Sequence, residues 1–128
     1  MDSDMTACDH TSVGMLVRKG GDILLIERKL FPWGYALPAG HVDGDAAFEI
    51  SAARELKEET GLDAGNLELL IEGRRDNHCR RPGGDWHYWK IYSAEASGEL
   101  SRSEEETKSA AFYPLEKARE LGRRTEAY

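Results

Sequence analysis

A chain of 128 residues, 40% of them apolar and 32% charged, is long enough for one domain (1–128) with a proper core and is ordinary for a soluble protein. Its net charge of −7 argues against general nucleic-acid binding through phosphates and suits a site that recruits divalent cations. No apolar run approaches a membrane span, no signal peptide is evident, and two cysteines without a CxxC pair, Cys8 and Cys79, point to a reducing cytoplasm and free thiols.

The polar segment Met1–His10 is expected to fray, with residues 1–11 flexible. Ser12–Arg18 and Ile23–Glu27 carry β-branched apolar residues around the turn Lys19-Gly20-Gly21-Asp22, which predicts a β-hairpin. Leu30–Gly40 is loop-rich, with Trp33 and Tyr35 able to stack on a base or to cover the sheet. Next comes a helix with Asp45 as its N-cap and Gly61 at the left-handed C-cap position. One face of it is small and apolar: Phe48, Ala52 and Leu56, with Ala53 beside them. On another face Glu55, Glu58 and Glu59 converge at i, i+3 and i+4. Like charges at that spacing repel, and a cation among them reverses the sign. Mg²⁺ takes a few carboxylates together with substrate phosphates.

Leu67–Arg75 and Trp86–Ala94 predict a second hairpin, joined by Gly73–Asp85, which holds four arginines and three glycines. A planar guanidinium binds phosphate bidentately and an aromatic ring stacks on a base, so Arg75, Arg80 and Trp86 are candidate substrate contacts, as is Trp33. Single-stranded nucleic acid is a less favoured partner for the same basic loop, given the overall charge. His78, Cys79 and His87 match no common zinc spacing, so a zinc site is not expected. Glu104-Glu105-Glu106 forms an acidic run, followed by a short strand at Ala111–Leu115 and a helix over Leu115–Leu121 that opens after Pro114.

Arg54-Glu55-Leu56-Lys57-Glu58-Glu59-Thr60-Gly61-Leu62, with Gly40 fourteen residues before Arg54, resembles the signature of the Nudix (MutT-like) hydrolases. Leu37-Pro38-Ala39-Gly40 is similar to the family's entry into that signature, and Phe112-Tyr113-Pro114-Leu115 to its closing turn. One position departs: six residues after Gly40 the family has a Glu, and here stands Ala46.

The resemblance implies the fold class α/β (α+β), a Nudix-type α/β/α sandwich with a mixed sheet between helices; the two hairpins, long helix and closing strand–helix unit point the same way. It implies Mg²⁺, or Mn²⁺ in its place, held by the Gly40 carbonyl and by Glu55, Glu58 and Glu59, with a carboxylate of the Glu104–Glu106 run, Glu105 being the candidate, completing the site or serving as base. It implies that Arg28 reaches substrate phosphate and that Arg54 orients the cluster through Asp45 or Glu49. Glu55, Glu58 and Arg54 are thus the catalytic candidates. The activity expected is hydrolysis of the phosphoanhydride of a nucleoside diphosphate linked to another moiety, a small-molecule substrate such as a nucleoside triphosphate, a nucleotide sugar or ADP-ribose. Ala46 leaves open a catalytically weak sensor that binds a nucleotide without cleaving it. A third reading, proton transfer on an isoprenoid diphosphate, has no additional Cys/Glu constellation to support it. Oligomeric state is not readable from the chain.

Overall fold

Seven strands and two helices are seen in the computed structural model, which describes residues 8–30, 33–42, 47–79 and 81–123. Strand β1 (Thr11–Lys19) buries Val13, Met15 and Val17, the alternate positions that a pleated strand sends to one side. Strand β2 (Asp22–Arg28) turns back from it as predicted, but the two pair only at Arg18↔Ile23 and Lys19↔Asp22. Beyond that tip they splay. β1 runs parallel to β6 (His87–Ser97) and antiparallel to β4 (Ala39–His41), while β2 pairs with β3 (Gly34–Ala36) and β7 (Thr107–Pro114). The stretch Leu30–Gly40, expected as loop, therefore contains β3 and the first two residues of β4, which find backbone partners on longer strands.

The second hairpin is present and longer than its apolar stretch suggested. Strand β5 (Asp63–Arg75) pairs along β6 from Asp63↔Ser97 to Arg75↔His87. The whole sheet runs β3-β2-β1-β6-β5, with β4 on β1 and β7 on β2. One parallel pair among antiparallel ones makes it mixed.

Helix α1 (Phe48–Thr60) lies on β1, β4 and β5, and α2 (Leu115–Arg123) on β2, β3 and β7. The predicted apolar face of α1 is the buried one. Ala52 and Leu56 are inaccessible and pack with Val13, Met15, Val17, Leu24, Val42, Leu62, Tyr92 and Ala94, while Phe48 rests partly buried against that cluster. Gly61 takes φ 75° and its N–H donates to the Lys57 carbonyl, the left-handed cap its position predicted. The N-terminal cap differs from expectation. The position is held by Ala47, with no side-chain cap bond; Asp45 precedes it by two residues and lies outside the described residues.

The expectation of a frayed N-terminus also fails for Cys8–His10. Cys8 is buried and its N–H donates to the Pro82 carbonyl at 2.9 Å. The Tyr88 N–H donates to the His10 carbonyl at 2.7 Å, extending the β1–β6 pairing outward, and the His10 ring stacks on Trp86 at 4.0 Å. Among the described residues no helix is long and apolar enough to cross a membrane.

Candidate functional site

The three signature carboxylates do not share one solvated face. Glu58 keeps 51% of its side chain exposed, Glu55 keeps 13%, and Glu59 is 3% exposed. The cause is strand β4, which runs under the end of α1. The Ala39 N–H donates to Glu59 Oε1 at 3.1 Å and reaches Oε2 at 3.4 Å. At Gly40 the strand comes so close that a Cβ there would stand 2.2 Å from the Glu55 carboxyl carbon and 2.5 Å from both its oxygens. Only glycine leaves that carboxylate room.

Arg54 ties the cluster to the loop. Its Nη1 bonds Glu55 Oε1 at 2.9 Å and lies 3.6 Å from Glu58 Oε2, and its Nη2 donates to the His41 carbonyl at 3.2 Å. Of the two partners expected for it, Glu49 is engaged elsewhere, accepting from the Tyr92 hydroxyl at 2.5 Å, and Asp45 lies outside the described residues. The approach to Glu58 follows from the i, i+4 spacing on the helix, and the bond to the adjacent Glu55 is made by the long guanidinium side chain bending toward the loop, where it also meets the His41 carbonyl.

A second segment reaches the cluster at the C-terminal end of the helix. The Ser101 N–H donates to the Thr60 carbonyl at 2.7 Å and the Ser103 N–H to the Glu59 carbonyl at 2.9 Å. Two carbonyls at the end of α1 are satisfied this way. The loop so docked delivers the turn Glu104–Glu106, and the Lys29 N–H holds it by donating to the Glu106 carbonyl at 3.0 Å. Of the acidic run, it is Glu106 whose charge bears on both Glu55 and Glu59; Glu105 sits in the exposed turn beside it. Arg28, opposite Thr107 in the β2–β7 pairing, works the other way and favours the ionised form of Glu59.

Burial pushes the Glu55 carboxyl up from 4.5 to about 7, against the pull of Arg54 and with the repulsion of Glu58 and Glu106. Glu59 is raised well above the usual carboxylate range, first by burial and then by Glu55, with the Ala39 N–H and Arg28 opposing. Carboxylates crowded this way in a desolvated site gain most from a divalent cation. The donor set, hard oxygens only, fits Mg²⁺ or Mn²⁺.

Beside the cluster opens a cleft of about 490 Å³, lined among others by Gly14, Tyr35, Ala39, Arg74, Arg75 and Trp89. Ala39 belongs to both, lining the cleft while its N–H holds Glu59. A model of the NUDIX domain matches residues 9–128. The chain belongs to the NUDIX family. The ADP-ribose pyrophosphatase of Methanocaldococcus jannaschii is 33% identical over 111 residues, 83% of this chain and 63% of that protein. The chain spans 29% and 63% of the length of two of the curated relatives it matches. A MutT NUDIX hydrolase from Burkholderia pseudomallei superposes with a TM-score of 0.74 at 26% identity, covering 84% of each chain. The NUDIX domain of Shewanella oneidensis NrtR, solved with ADP-ribose, superposes with a TM-score of 0.71 at 18% identity, covering 94% of this chain and 82% of that one.

The other anticipated contacts of this NUDIX domain divide. Arg75 lines the cleft, joined by Arg74, and Arg28 lies at the carboxylates. Trp33 is 52% exposed and does not line the cleft. Trp86 is stacked between the His10 ring and the Arg74 guanidinium, 4.5 Å from its centroid. Arg80 lies outside the described residues. The cleft's own aromatic rings are Tyr35 and Trp89. Trp89 was hidden because it sits mid-strand in an alternation that reads equally well as core.

A pH dependence follows from the raised carboxyls. A carboxyl whose folded pKa lies above its unfolded value keeps its proton in the folded chain after the unfolded chain has released it. Its contribution to stability is therefore fully present below the unfolded value of 4.5 and is lost as pH rises, through about 7 for Glu55, with Glu59 shifted in the same direction. In magnesium-free buffer the Tm should fall between about pH 5 and pH 8, and the double variant Glu55→Gln/Glu59→Gln should flatten that slope in a thermal-shift series. An equal slope in the double variant would assign the dependence to other groups.

Proposed function

We propose that the chain is a Mg²⁺-dependent pyrophosphohydrolase acting on a nucleoside diphosphate linked to a second moiety, with ADP-ribose the leading substrate. The observation that carries this reading is the juxtaposition of the graded carboxylates Glu58, Glu55 and Glu59 around Gly40 with the cleft that shares Ala39. The relative named as an ADP-ribose pyrophosphatase supports the choice of substrate.

Glu55, Glu58, Glu59 and the Gly40 carbonyl would hold the metal, with Glu106 in the place first given to Glu105. When bound, Mg²⁺ neutralises phosphate oxygens and lowers the pKa of a coordinated water. Arg54 keeps Glu55 and Glu58 turned toward the loop. A carboxylate of the cluster, or Glu106, accepts the proton of the attacking water. Arg74 and Arg75 reach phosphate from the cleft wall, and the half-buried Tyr35 offers a ring for the base, with the buried Trp89 forming the wall behind it. The water oxygen bonds one phosphorus as that atom's bond to the bridging oxygen breaks; the bridging oxygen stays on the other phosphate, and the water's protons pass to the base and to solvent, so ADP-ribose gives AMP and ribose phosphate.

The test is a substrate panel in Mg²⁺ with products identified: ADP-ribose, nucleoside triphosphates, nucleotide sugars, dinucleoside polyphosphates and isopentenyl diphosphate. AMP and ribose phosphate from ADP-ribose is the expected result. Thermal stabilisation by one ligand with no product from any of them would make the domain a sensor. Isomerised isopentenyl diphosphate with phosphate conserved would move it to another reaction class.

A further inference from the structure

We propose that Cys8, His41, Cys79 and His87 bind one structural Zn²⁺ in a Cys₂His₂ site separate from the carboxylate cluster. Their spacing along the chain fits no common zinc pattern, yet each offers one ligand atom and the four atoms lie within 4.8 Å of one another. In a tetrahedral Zn²⁺ site, bonds of about 2.3 Å to sulfur and 2.0–2.1 Å to nitrogen place S and N ligands roughly 3.5 Å apart. Cys8 Sγ stands 3.6 Å from His41 Nε2 and 3.2 Å from His87 Nε2. Both cysteines are free thiols, and Cys8 and His87 are buried.

Strand register brings the four together. Ser12 pairs with His41 across β1 and β4, and Thr11 with Tyr88 across β1 and β6, so His41 and His87 arrive at the N-terminal end of β1, where Cys8 lies. Cys79 comes from the β5–β6 loop, which folds tightly: the Cys79 N–H donates to the Gly84 carbonyl and the Gly84 N–H to the Arg81 carbonyl. Gly84 is buried and a Cβ on it would stand 2.2 Å from Cys79 Sγ, so the loop leaves room for the sulfur and nothing larger.

The surroundings are those of a metal site, not of a chance pairing. Asn77 Oδ1 lies 3.1 Å from His87 Nδ1 and accepts from Trp89 Nε1 at 3.0 Å. A carbonyl oxygen is an acceptor only, so His87 carries its proton on Nδ1 and turns a bare Nε2 toward the sulfurs. The His10 N–H points at Cys8 Sγ from 3.3 Å, the contact a thiolate accepts. Two thiolates and two imidazoles with no open oxygen ligand suit Zn²⁺ and reject Mg²⁺. Binding releases both thiol protons to solvent. His41 directly follows Gly40, and its carbonyl accepts from Arg54, so the zinc would fix the strand that carries the catalytic loop.

The experiment is metal analysis of the full chain purified without chelator, with thermal unfolding alongside. About one zinc per chain is expected, retained by Glu58→Gln and lost by Cys8→Ser and by Cys79→Ser. Asn77→Ala, which leaves all four ligands in place, should weaken zinc binding about 10–100-fold. Should the cysteine variants fail to fold, CoCl₂ titrated into zinc-stripped wild type reads the same point, because a tetrahedral dithiolate site gives visible and sulfur charge-transfer bands that a carboxylate site lacks. ZnCl₂, and not MgCl₂, should restore the Tm after stripping. Zinc well below one per chain without cobalt bands, zinc retained by both folded cysteine variants, or a Cys8–Cys79 disulfide in the purified protein would each overturn the proposal.

Discussion

Glu59→Gln is expected to lower kcat by at least about 10²-fold on whichever substrate the panel identifies, with the chain still folded. The substitution keeps shape and volume at a residue that is 3% exposed, and it keeps a carbonyl oxygen to accept from the Ala39 N–H. What it removes is the negative charge. That charge is unfavourable in the metal-free chain, where burial and Glu55 both oppose it, so removing it should hold or raise the Tm. With Mg²⁺ present the opposite sign is expected, since the proposed ligand has lost its charge. Steady-state kinetics and a Mg²⁺-dependent thermal shift separate the two effects. Turnover within a few-fold of wild type would remove Glu59 from the site.

Gly40→Ala should cost at least about 10² in kcat with only a small change in Tm. The added methyl would stand 2.2 Å from the Glu55 carboxyl carbon, a distance that real atoms do not hold. The backbone of residue 40 is not in the left-handed region, so alanine itself is unstrained there. The clash is with the far end of a flexible side chain, and relief is simple: the Glu55 carboxylate swings away. It then leaves its place beside Gly40, and the misplacement of one catalytic group by about 1 Å is enough for a loss of this size. Gly21→Ala, at a β-turn position with nothing within 4 Å, is the control and should keep wild-type turnover. Equal activity in both variants would mean that Glu55 does not need its present position.

The fold was legible wherever the signal was local. The apolar, β-branched run of β1, the turn after Lys19, the alternation Trp86–Tyr92 and the i, i+4 faces of α1 all depend on residues a few positions apart, and each element formed where expected. The convergence of Glu55, Glu58 and Glu59 is likewise a property of helical periodicity. Boundaries were lost where partners lie far along the chain. The short strands β3 and β4 have too little pattern of their own and exist because β2 and β1 offer free backbone groups.

The unequal environments of the three carboxylates needed the third dimension. Helix periodicity cannot say that β4 will pass under Glu59 and leave Glu58 in solvent, because that depends on β1 pairing with β4 at Ser12↔His41. The same holds for Glu106 over its neighbours, which the docking of Ser101 and Ser103 on the end of α1 selects. Cys8, His41, Cys79 and His87 are the strongest case: four segments spread over 79 residues meet through two strand registers and one glycine-lined turn. From the order of residues alone came the elements, the carboxylate trio and the family resemblance, since these rest on short-range periodicity. The burial of each acid, the make-up of the cleft and the thiol–imidazole cluster came from strand pairing, which joins positions that no local pattern connects.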